Sequence, residues 1–355
     1  MTKKLTDLNP KKILIRSTNW IGDAIMTTPA VRTIHSYFPE ARISMLAYPW
    51  VADIFAASPH VDEIIEFDKK GAHAGLKGLF RLGRELAARK FDMAILLQNA
   101  FEAAFITTIA RIPVRAGYIR DARRLLLTHP VKIRQEIRTM HQVYYYQQLC
   151  RDLGLECEPD ELFLKLPESA EKFAADFVRT LGKGPVVGFN PGAAYGPAKC
   201  WPTDRYGELA RQLSDQAEAD IIIFGAEADR RTGAEIKQYA PGSVHNMAGR
   251  TSLAQAMALI GACDAFVTND SGLMHVGAAM KTPLVAIFGS TDHIATGPFS
   301  KNAHIILKDD VACRPCFKTH CKTDFECMKT ITVGEVYDTV MQILNKYPKV
   351  ENSKV

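Results

Sequence analysis

Short apolar and β-branched segments alternate with amphipathic segments along most of this 355-residue chain, and this alternation constrains the fold most strongly. In the first half, the runs ILIRS, ISMLAY, DEIIEF and DMAILLQ are separated by predicted helices over about 23–37, near Val51 and over about 76–89. The second half restarts the pattern with PVVGFNPG, ADIIIFG, DAFVTND and PLVAIFGS. Strands separated by helices of this length form parallel βαβ units. The sequence therefore predicts an α/β protein with two doubly wound parallel sheets.

The predicted domain boundary lies in the polar helical stretch 166–184, where the alternation of strands and helices pauses. Two glycines near its end are typical of a helix that stops before the next strand. We predict an N-terminal domain over 1–170, a linker over 171–184 and a second domain over 185–330. The final segment, 331–355, is predicted to contain a helix that packs back on the first domain.

Composition and charge exclude several classes of protein. The chain lacks an apolar run of membrane-spanning length, and its N-terminus does not resemble a signal peptide, so we expect a cytoplasmic protein. The formal net charge of +5 is too small to argue for nucleic-acid binding. Basic side chains are concentrated between Arg111 and Arg138, with apolar residues among them. This stretch is either a solvated basic face or a surface for an anionic, partly apolar partner.

Four of the eight cysteines lie close together near the C-terminus, at Cys313, Cys316, Cys321 and Cys327. They are interpreted as a structural zinc site, a set of disulfides or small buried apolar residues. Disulfides are disfavoured in the cytosol, and the spacing is tighter than that of common zinc ribbons. No catalytic role follows from this cluster.

The turns after the predicted strands are the places to look for chemistry, because open α/β sheets bind ligands beyond the carboxyl ends of their strands. In NPGAAYGPAKCWP, the small residues Gly192, Ala193 and Ala194 let a ligand approach the backbone. Lys199 adds a cation that can pair with a phosphate oxygen. The loop is not a Walker A motif, so a glycine- and proline-rich connector with a surface lysine is the alternative.

The turn TNDSGLMH opens a helix rich in small residues, and we predict Asn269, Asp270 and Ser271 at its N-cap. Free backbone amides and the helix dipole at such a start can meet a pyrophosphate at close range, and Gly272 keeps the approach open. A plain helix cap is the alternative. His275, one turn into the helix, is interpreted as a buried residue rather than a catalyst.

A carboxylate in each half of the chain lies just past a strand. Glu227, after the run IIIFG, suits the vicinal hydroxyls of a ribose, or is only a favourable charge at a helix start. The turn STNWIGD has Gly22 but lacks the other glycines of a dinucleotide fingerprint, which disfavours a nicotinamide oxidoreductase. Asp23 is interpreted as a helix cap or as a general base facing a ligand held by the other domain.

Six motifs in this order, WIGDAIMTTPAVRTI, PGAAYGPAKCWP, GAEADR, TNDSGLMHVGAAM, FGSTD and ACRPCFKTHC, resemble the ADP-heptose:lipopolysaccharide heptosyltransferases, glycosyltransferase family 9. The resemblance spans nearly the whole chain. It implies a GT-B fold, with two Rossmann-like domains facing a central cleft. It also implies inverting transfer of L-glycero-D-manno-heptose from ADP-heptose to an inner-core heptose of lipopolysaccharide, without a cofactor or a catalytic metal. The alternatives are a relative that uses another acceptor, such as the Kdo region, a later core heptose or a protein, and a non-enzymatic lipopolysaccharide- or metal-binding module.

The same resemblance implies roles for individual residues. Asp23 corresponds to the catalytic base, Lys199 to the phosphate-binding catalytic lysine and Glu227 to the ribose-binding glutamate. The loop that binds the nucleotide sugar also includes Gly192, Ala193, Ala194, Asp270, Ser271, Gly272, Leu273 and His275. Acceptor binding is predicted for Asn19, Trp20, Gly22, Arg120, Arg123 and Arg124. The implied partners are ADP-heptose, the anionic inner core on lipid A and the cytoplasmic face of the inner membrane, which the protein is expected to contact peripherally.

Overall fold

A computed structural model describes residues 4–347 of the chain. These residues form two compact units that divide between Lys165 and Leu166. Each unit contains one six-stranded sheet in which every strand pairing is parallel. Within this described range, no helix is both long enough and apolar enough to cross a membrane.

The first unit has the strand order β3-β2-β1-β4-β5-β6. Its strands are β1 (Lys12–Arg16), β2 (Arg42–Ala47), β3 (Glu63–Glu66), β4 (Met93–Leu96), β5 (Val114–Tyr118) and β6 (His129–Val131). Its helices are α1 (Ile21–Met26), α2 (Thr28–Tyr37), α3 (Pro49–Ala56), α4 (Gly75–Arg89), α5 (Phe101–Ile109) and α6 (Gln142–Asp152). Short 3-10 turns lie at Leu5–Asp7, Arg123–Leu126 and Glu136–Thr139.

The second unit has the strand order β12-β11-β10-β7-β8-β9. Its strands are β7 (Val186–Asn190), β8 (Asp220–Ile223), β9 (Val244–Asn246), β10 (Ala265–Asn269), β11 (Leu284–Ile287) and β12 (Ala303–Ile306). Its helices are α7 (Glu168–Arg179), α8 (Thr203–Ala217), α9 (Arg230–Lys237), α10 (Leu253–Gly261), α11 (Gly272–Ala279), α12 (His293–Thr296), α13 (Glu326–Lys329) and α14 (Val333–Lys346). The 3-10 turns are Pro197–Lys199 and Glu227–Asp229.

Both strand orders follow the doubly wound pattern, in which the chain starts at the centre of the sheet and adds strands first on one side and then on the other. The order reverses between β1 and β4 in the first unit and between β7 and β10 in the second. Ligands of such sheets bind beyond the carboxyl ends of the strands at this reversal. The predicted α/β class with two doubly wound sheets is confirmed.

Burial explains why the central strands read as continuous apolar runs. Ile13, Leu14 and Ile15 of β1 have no exposed surface, and all five residues of β10 are buried. Central strands of a parallel sheet are covered by helices on both faces, so both sets of side chains lose contact with water. Each fully buried Leu or Ile contributes about 1.5 to 3 kcal/mol of hydrophobic stabilisation.

The prediction of a single helix over about 23–37 is wrong, because the structure has two helices there, α1 and α2, which are separated at Thr27. Pro29 has no amide hydrogen to donate to the carbonyl of Ile25 four residues earlier, which interrupts the helical ladder. The Thr28 hydroxyl instead donates to the Ile25 carbonyl at 2.7 Å. The break therefore leaves this carbonyl satisfied and separates a short helix that carries Asp23 from the longer α2.

Two predictions about the segments that border the second domain need correction. Most of the predicted linker over 171–184 is α7, which packs on α10 in the second unit. The C-terminal helix α14 was expected on the first domain, but its apolar face lies in the core of the second unit. Val336, Val340 and Ile343 are buried there, where α14 packs on α8, β10 and β11. The spacing of these residues predicted the helix, whereas its contact surface depended on the tertiary structure.

The basic stretch between Arg111 and Arg138 contains the last two strands of the first sheet, which the alternation pattern did not predict. The strand β5 includes Arg115 and Gly117, and the three-residue β6 includes Pro130. Proline is tolerated in a strand at the edge of a sheet, where its missing amide hydrogen removes no ladder bond. Such short, polar strands lack the apolar run by which the other strands were recognised.

Candidate active site

An open cavity of about 910 Å³ lies in the first unit beyond the carboxyl ends of β4, β5 and β6. Four basic side chains and two carboxylates are among the residues that line it, so the cavity carries a net positive charge. The lining residues are Asp23, Asn99, Ile119, Arg120, Asp121, Arg124, Lys132, Ile133, Arg138, Gln142, Tyr145 and Tyr146. The predicted residues Asp23, Arg120 and Arg124 thus meet in one place.

Asp23 is the third residue of α1, and the residue before the helix, Trp20, provides no side-chain cap. The interpretation of Asp23 as the helix cap is therefore wrong. A carboxylate in the first turn is stabilised by the helix dipole by about 0.3 to 1 kcal/mol. This position places the Asp23 carboxylate at the cavity wall.

Tyr146 on α6 places its hydroxyl 3.4 Å from Oδ1 of Asp23. Burial, and next the negative charge of Asp23, raise the pKa of Tyr146 well above its ordinary value. The phenol therefore stays protonated and can donate a hydrogen bond to the carboxylate. The sequence analysis missed Tyr146, since one tyrosine of the run YYY in a helix carries no recognisable signal.

The turn before Asp23 is held by a buried arginine at the end of β1. The Arg16 guanidinium donates to the carbonyls of Ser17 and Leu46, at 2.6 and 3.3 Å, and to Oδ1 of Asn19 at 3.0 Å. Burial lowers the pKa of Arg16 to about 10. Asn19, predicted to bind the acceptor, therefore fixes the shape of the turn. Its predicted neighbours differ in exposure, because Trp20 faces solvent and Gly22 is buried.

Arg123 was predicted to face an anionic partner, and this prediction is wrong because the side chain is fully buried. Its guanidinium donates to the carbonyls of Tyr118 and Gln98 and to Oδ1 of Asn99. Gly117 makes room for it, since a Cβ there would lie 3.1 Å from the guanidinium. Burial lowers the pKa of Arg123 to about 10. This arginine supports the cavity from beneath, while Arg124 lines it.

The neighbouring pair Arg123 and Arg124 provides a matched test. The free energy of unfolding of the Arg123→Ala variant is expected to be about 3 kcal/mol lower than that of the unmodified protein. The reason is that each buried acceptor left without its donor costs about 1 to 3 kcal/mol. Arg124→Ala, at an exposed position, is expected to change stability by less than about 0.5 kcal/mol. Denaturant unfolding of both variants measures the difference, and equal stabilities would contradict the buried role of Arg123.

In the second unit, Lys199 and Asp270 form a largely buried ion pair at the carboxyl ends of β7 and β10. The Lys199 Nζ lies 2.6 Å from Oδ2 of Asp270, and the side chains are 14% and 5% exposed. The Thr291 hydroxyl donates to the same carboxylate oxygen at 2.6 Å. Asp270, predicted to bind the nucleotide sugar, thus holds Lys199 and Thr291 through one carboxylate oxygen, and its role toward the nucleotide stays a prediction. Thr291 lies in the motif FGSTD, to which the sequence analysis assigned no role.

Of the three residues predicted at the N-cap of α11, only Ser271 caps the helix. Its hydroxyl accepts from the backbone amide of Met274 at 3.3 Å and from Nδ2 of Asn190 at 2.6 Å. Asn269 is the last residue of β10, and its side chain links this strand to the loop after β7. It donates to the Pro191 carbonyl and accepts from the Trp201 amide, at the two ends of that loop. The start of α11, including Gly272 and Leu273, is thereby fixed next to the loop after β7.

The remaining predicted residues lie around the same carboxyl edge of the second sheet. A side chain at Gly192 would displace the Asp229 carboxylate, because a Cβ would lie 2.4 Å from it. Ala193 is half-buried and Ala194 is exposed in the same loop. Glu227 begins a 3-10 turn after β8, is largely exposed and pairs with Arg230 at 3.1 Å. His275 is buried in α11, as the sequence analysis expected of it.

All eight cysteines are free thiols, from the buried Cys150 to the exposed Cys313. Within residues 4–347, no three His, Cys, Asp or Glu side chains are arranged to hold a metal ion. The structural zinc therefore stays a prediction. A hydrogen bond from the Thr323 hydroxyl lowers the pKa of Cys321, whereas burial raises the pKa of Cys200 to about 11.

These opposite shifts predict different reactivities. At about pH 8, Cys321 is expected to react with iodoacetamide faster than Cys200, because the thiolate is the nucleophile. The alkylation rate of Cys200 is expected to keep increasing as the pH approaches about 11, where its thiol ionises. Mass spectrometry of the labelled peptides measures both rates, and faster labelling of Cys200 at about pH 8 would contradict the structure.

Comparison with known proteins identifies the family. The model of glycosyltransferase family 9 (heptosyltransferase) matches residues 79–325, which is more than half of the chain. The chain belongs to glycosyltransferase family 9. It is 34% identical over 308 residues to lipopolysaccharide heptosyltransferase 2 of Escherichia coli K12, covering 83% of this chain and 87% of that protein. It is also 34% identical over 308 residues to lipooligosaccharide heptosyltransferase 2 of Haemophilus influenzae, covering 83% and 88%.

The fold of this family 9 member is similar to a solved structure. The structure of E. coli ADP-heptose lipopolysaccharide heptosyltransferase II matches it with a TM-score of 0.80 and 30% identity, covering 94% of this chain and 99% of that one. The predicted resemblance, the GT-B fold and the assignment as a glycosyltransferase are confirmed. The roles of the individual site residues remain predictions, to which the structure adds the geometry described above.

Proposed function

We propose that this enzyme transfers L-glycero-D-manno-heptose from ADP-heptose to a heptose in the inner core of lipopolysaccharide. The supporting observation is its likeness, in sequence and in fold and over 94% of its length, to an enzyme named ADP-heptose lipopolysaccharide heptosyltransferase II. The cavity around Asp23 would receive the acceptor. Its cations suit an acceptor that carries phosphates or carboxylates, since guanidinium and ammonium groups bind both by charge-assisted hydrogen bonds.

In the proposed reaction Asp23 is the general base. The acceptor hydroxyl gives its proton to the Asp23 carboxylate while its oxygen forms a bond to the anomeric carbon of the heptose. The bond between this carbon and the diphosphate oxygen breaks, and its electron pair leaves with ADP. A single displacement of this kind attacks opposite to the leaving group, so the configuration at the anomeric carbon inverts.

The environment of Asp23 stabilises the carboxylate and so makes it a weaker base. The helix dipole and the Tyr146 hydroxyl both favour the ionised form. Orientation of the reacting groups has to compensate. Holding two reactants in line can supply about 7 to 11 kcal/mol in favourable cases, and removal of water would raise the basicity of the carboxylate. The firmly held turn from Arg16 to Asp23 is consistent with this demand for positioning.

The nucleotide sugar is proposed to bind at the carboxyl edge of the second sheet. Lys199 and the backbone amides at the start of α11 would meet the negative charge that grows on the diphosphate as the bond breaks. Gly192 and Ala193 leave the backbone of the preceding loop open to close approach. Glu227, largely exposed beyond β8, would bind the ribose hydroxyls after exchanging its contact with Arg230.

We propose that transfer needs neither a cofactor nor a divalent metal ion. The nearest match to a DxD motif in the loops after β7, β8 and β10 is Glu227-Ala228-Asp229. Its carboxylates are engaged within the protein, since Glu227 pairs with Arg230 and Asp229 accepts from the Ala226 amide. Undiminished turnover after treatment with a chelator is the expected result.

We further propose that the enzyme works in the cytoplasm of a Gram-negative bacterium, in peripheral contact with the inner membrane. Lipopolysaccharide is anchored by its lipid part, so an enzyme that modifies its core before export has to reach a membrane-bound acceptor.

A transfer assay with defined acceptors tests the proposal. Purified enzyme and ADP-heptose are incubated with a truncated lipopolysaccharide that ends in one inner-core heptose, and with one that ends in Kdo. A mass increase of one heptose on the first acceptor alone is expected. Transfer to the Kdo-terminated acceptor alone would replace the proposed acceptor by Kdo, and transfer to neither would contradict the proposal.

A further inference from the structure

The large exposed apolar side chains of the first unit are distributed unevenly. In the described residues up to 165, every one of them lies either in the loop or 3-10 turn that follows a strand or in the first two turns of the next helix. These side chains are between 38% and 94% exposed and are Trp20 after β1, Trp50 after β2, Leu76 and Phe80 after β3, Phe101 after β4, Leu125 after β5 and Met140 after β6. All strands are parallel, so these segments leave the sheet at one edge.

Several of these side chains are connected to each other by ring contacts. Phe80 on α4 and Phe101 on α5 both contact the ring of Phe105, with centroids 5.7 and 5.9 Å apart. Trp50 accepts a cation–π contact from Lys70, whose Nζ lies 5.7 Å from the ring centroid. We refer to Trp50, Leu76, Phe80 and Phe101, together with the basic side chains among them, as the aromatic-basic patch.

Exposed cations surround the apolar side chains of the patch. They are Lys70 after β3 and Lys77, Arg81 and Arg84 on α4. Arg81 pairs with Glu85 at 3.0 Å, whereas Lys77 and Arg84 project from the same exposed face. The helix α4 carries exposed Leu76 and Phe80 in its first two turns, with cations beside them. It thus resembles an interfacial helix, which inserts apolar side chains into a membrane while its cations contact anionic headgroups.

The patch borders the proposed catalytic turn. The Trp50 indole donates from Nε1 to the Asn19 carbonyl at 2.9 Å, four residues before Asp23. The 3-10 turn that carries Leu125 and the cavity residue Arg124 packs on α5, the helix that begins with Phe101. The apolar side chains and the charged cavity therefore occupy the same edge of one sheet.

We propose that this edge docks on an anionic lipid bilayer through the aromatic-basic patch. We choose a bilayer as the partner because the patch is basic and its apolar side chains are separated by cations. This arrangement suits a layer of anionic headgroups, whereas a protein partner would be expected to meet a continuous apolar surface. The inference rests on the proposed function in one respect, since a lipid-linked acceptor explains why the cavity of Asp23 lies at the docking edge. Arg123, in the basic stretch predicted to face an anionic partner, is buried and takes no part in this surface.

Sedimentation with vesicles tests the docking without using the transfer reaction. The full chain is mixed with vesicles of phosphatidylglycerol and phosphatidylcholine, and separately with vesicles of phosphatidylcholine alone; neither contains an acceptor. Binding to the anionic vesicles is expected, weakening as salt is added. Failure to bind them would overturn the proposal, and so would equal binding to both kinds of vesicle.

Two variants locate the surface, with a matched control. Lys77→Ala is expected to weaken vesicle binding about fivefold, the value for one cation near an anionic surface. Leu76→Asp is expected to abolish binding while the protein stays folded, because an acidic residue in the first turn of α4 suits the helix dipole. Lys11→Ala removes an equal charge from an exposed position before β1, at the opposite edge of the sheet, and should leave binding unchanged. An equal loss in Lys11→Ala would overturn the assignment.

A second readout separates docking from catalysis. Leu76→Asp is expected to transfer heptose normally to a water-soluble, deacylated acceptor and poorly to an acceptor embedded in anionic vesicles. Loss of both activities in a folded variant would overturn the docking role. If the unmodified enzyme transferred no heptose to either acceptor, the proposed function would be contradicted. The vesicle-binding experiment would still test the docking surface, because it does not depend on transfer.

Discussion

Replacement of Asp23 by asparagine is expected to lower kcat by about 100- to 10,000-fold, the range that a positioned general base contributes. Asparagine has nearly the same shape but cannot accept the proton of the acceptor hydroxyl. The KM values for both substrates are expected to change little, because the amide still occupies the cavity wall. Steady-state kinetics with ADP-heptose and a heptose-terminated acceptor measure these quantities.

Asp121 provides the matched control for this variant, because its carboxylate lines the same cavity. Its backbone has a φ of 49°, a left-handed conformation that asparagine tolerates well. Asp121→Asn therefore removes the same charge without strain and is expected to keep most of kcat. If Asp23→Asn and Asp121→Asn behaved alike, the effect would belong to the charge of the cavity and the assignment of Asp23 as the base would fail.

The second large effect is expected at the ion pair of the second unit. Lys199→Met leaves the buried carboxylate of Asp270 without its cation, which costs about 3 to 5 kcal/mol of folding stability. The same variant removes the cation proposed to stabilise the leaving diphosphate, so kcat is expected to fall by about 100- to 1,000-fold. Thermal unfolding and steady-state kinetics measure the two losses separately.

A double variant distinguishes the two roles of Lys199. In Lys199→Met/Asp270→Asn, neither buried side chain carries a charge, so most of the lost stability is expected to return. Turnover is expected to remain low, because the diphosphate still lacks its cation. Recovery of turnover together with stability would contradict a role in catalysis and leave Lys199 as a partner of Asp270 alone.

Much of the site could be located from the sequence because a turn after a strand is a local feature. STNWIGD, NPGAAYGPAKCWP and TNDSGLMH all follow apolar runs, and the structure places them where each strand order reverses. Local sequence could not distinguish Arg123 from Arg124. One guanidinium is buried under the cavity and the other lines it, and the difference depends on the position of β5 in the sheet.

The sequence by itself determined the two parallel α/β sheets, the turns that carry chemistry and, through the order of its motifs, the family. Side-chain periodicity and turn composition depend on neighbours in the chain, so they are readable without a structure. Only the tertiary structure placed Tyr146 against Asp23, 123 residues away, and Lys199 against Asp270, 71 residues away. It alone brought apolar and basic side chains from separate segments to one edge of the first sheet, because the parallel strand order decides which distant segments become neighbours.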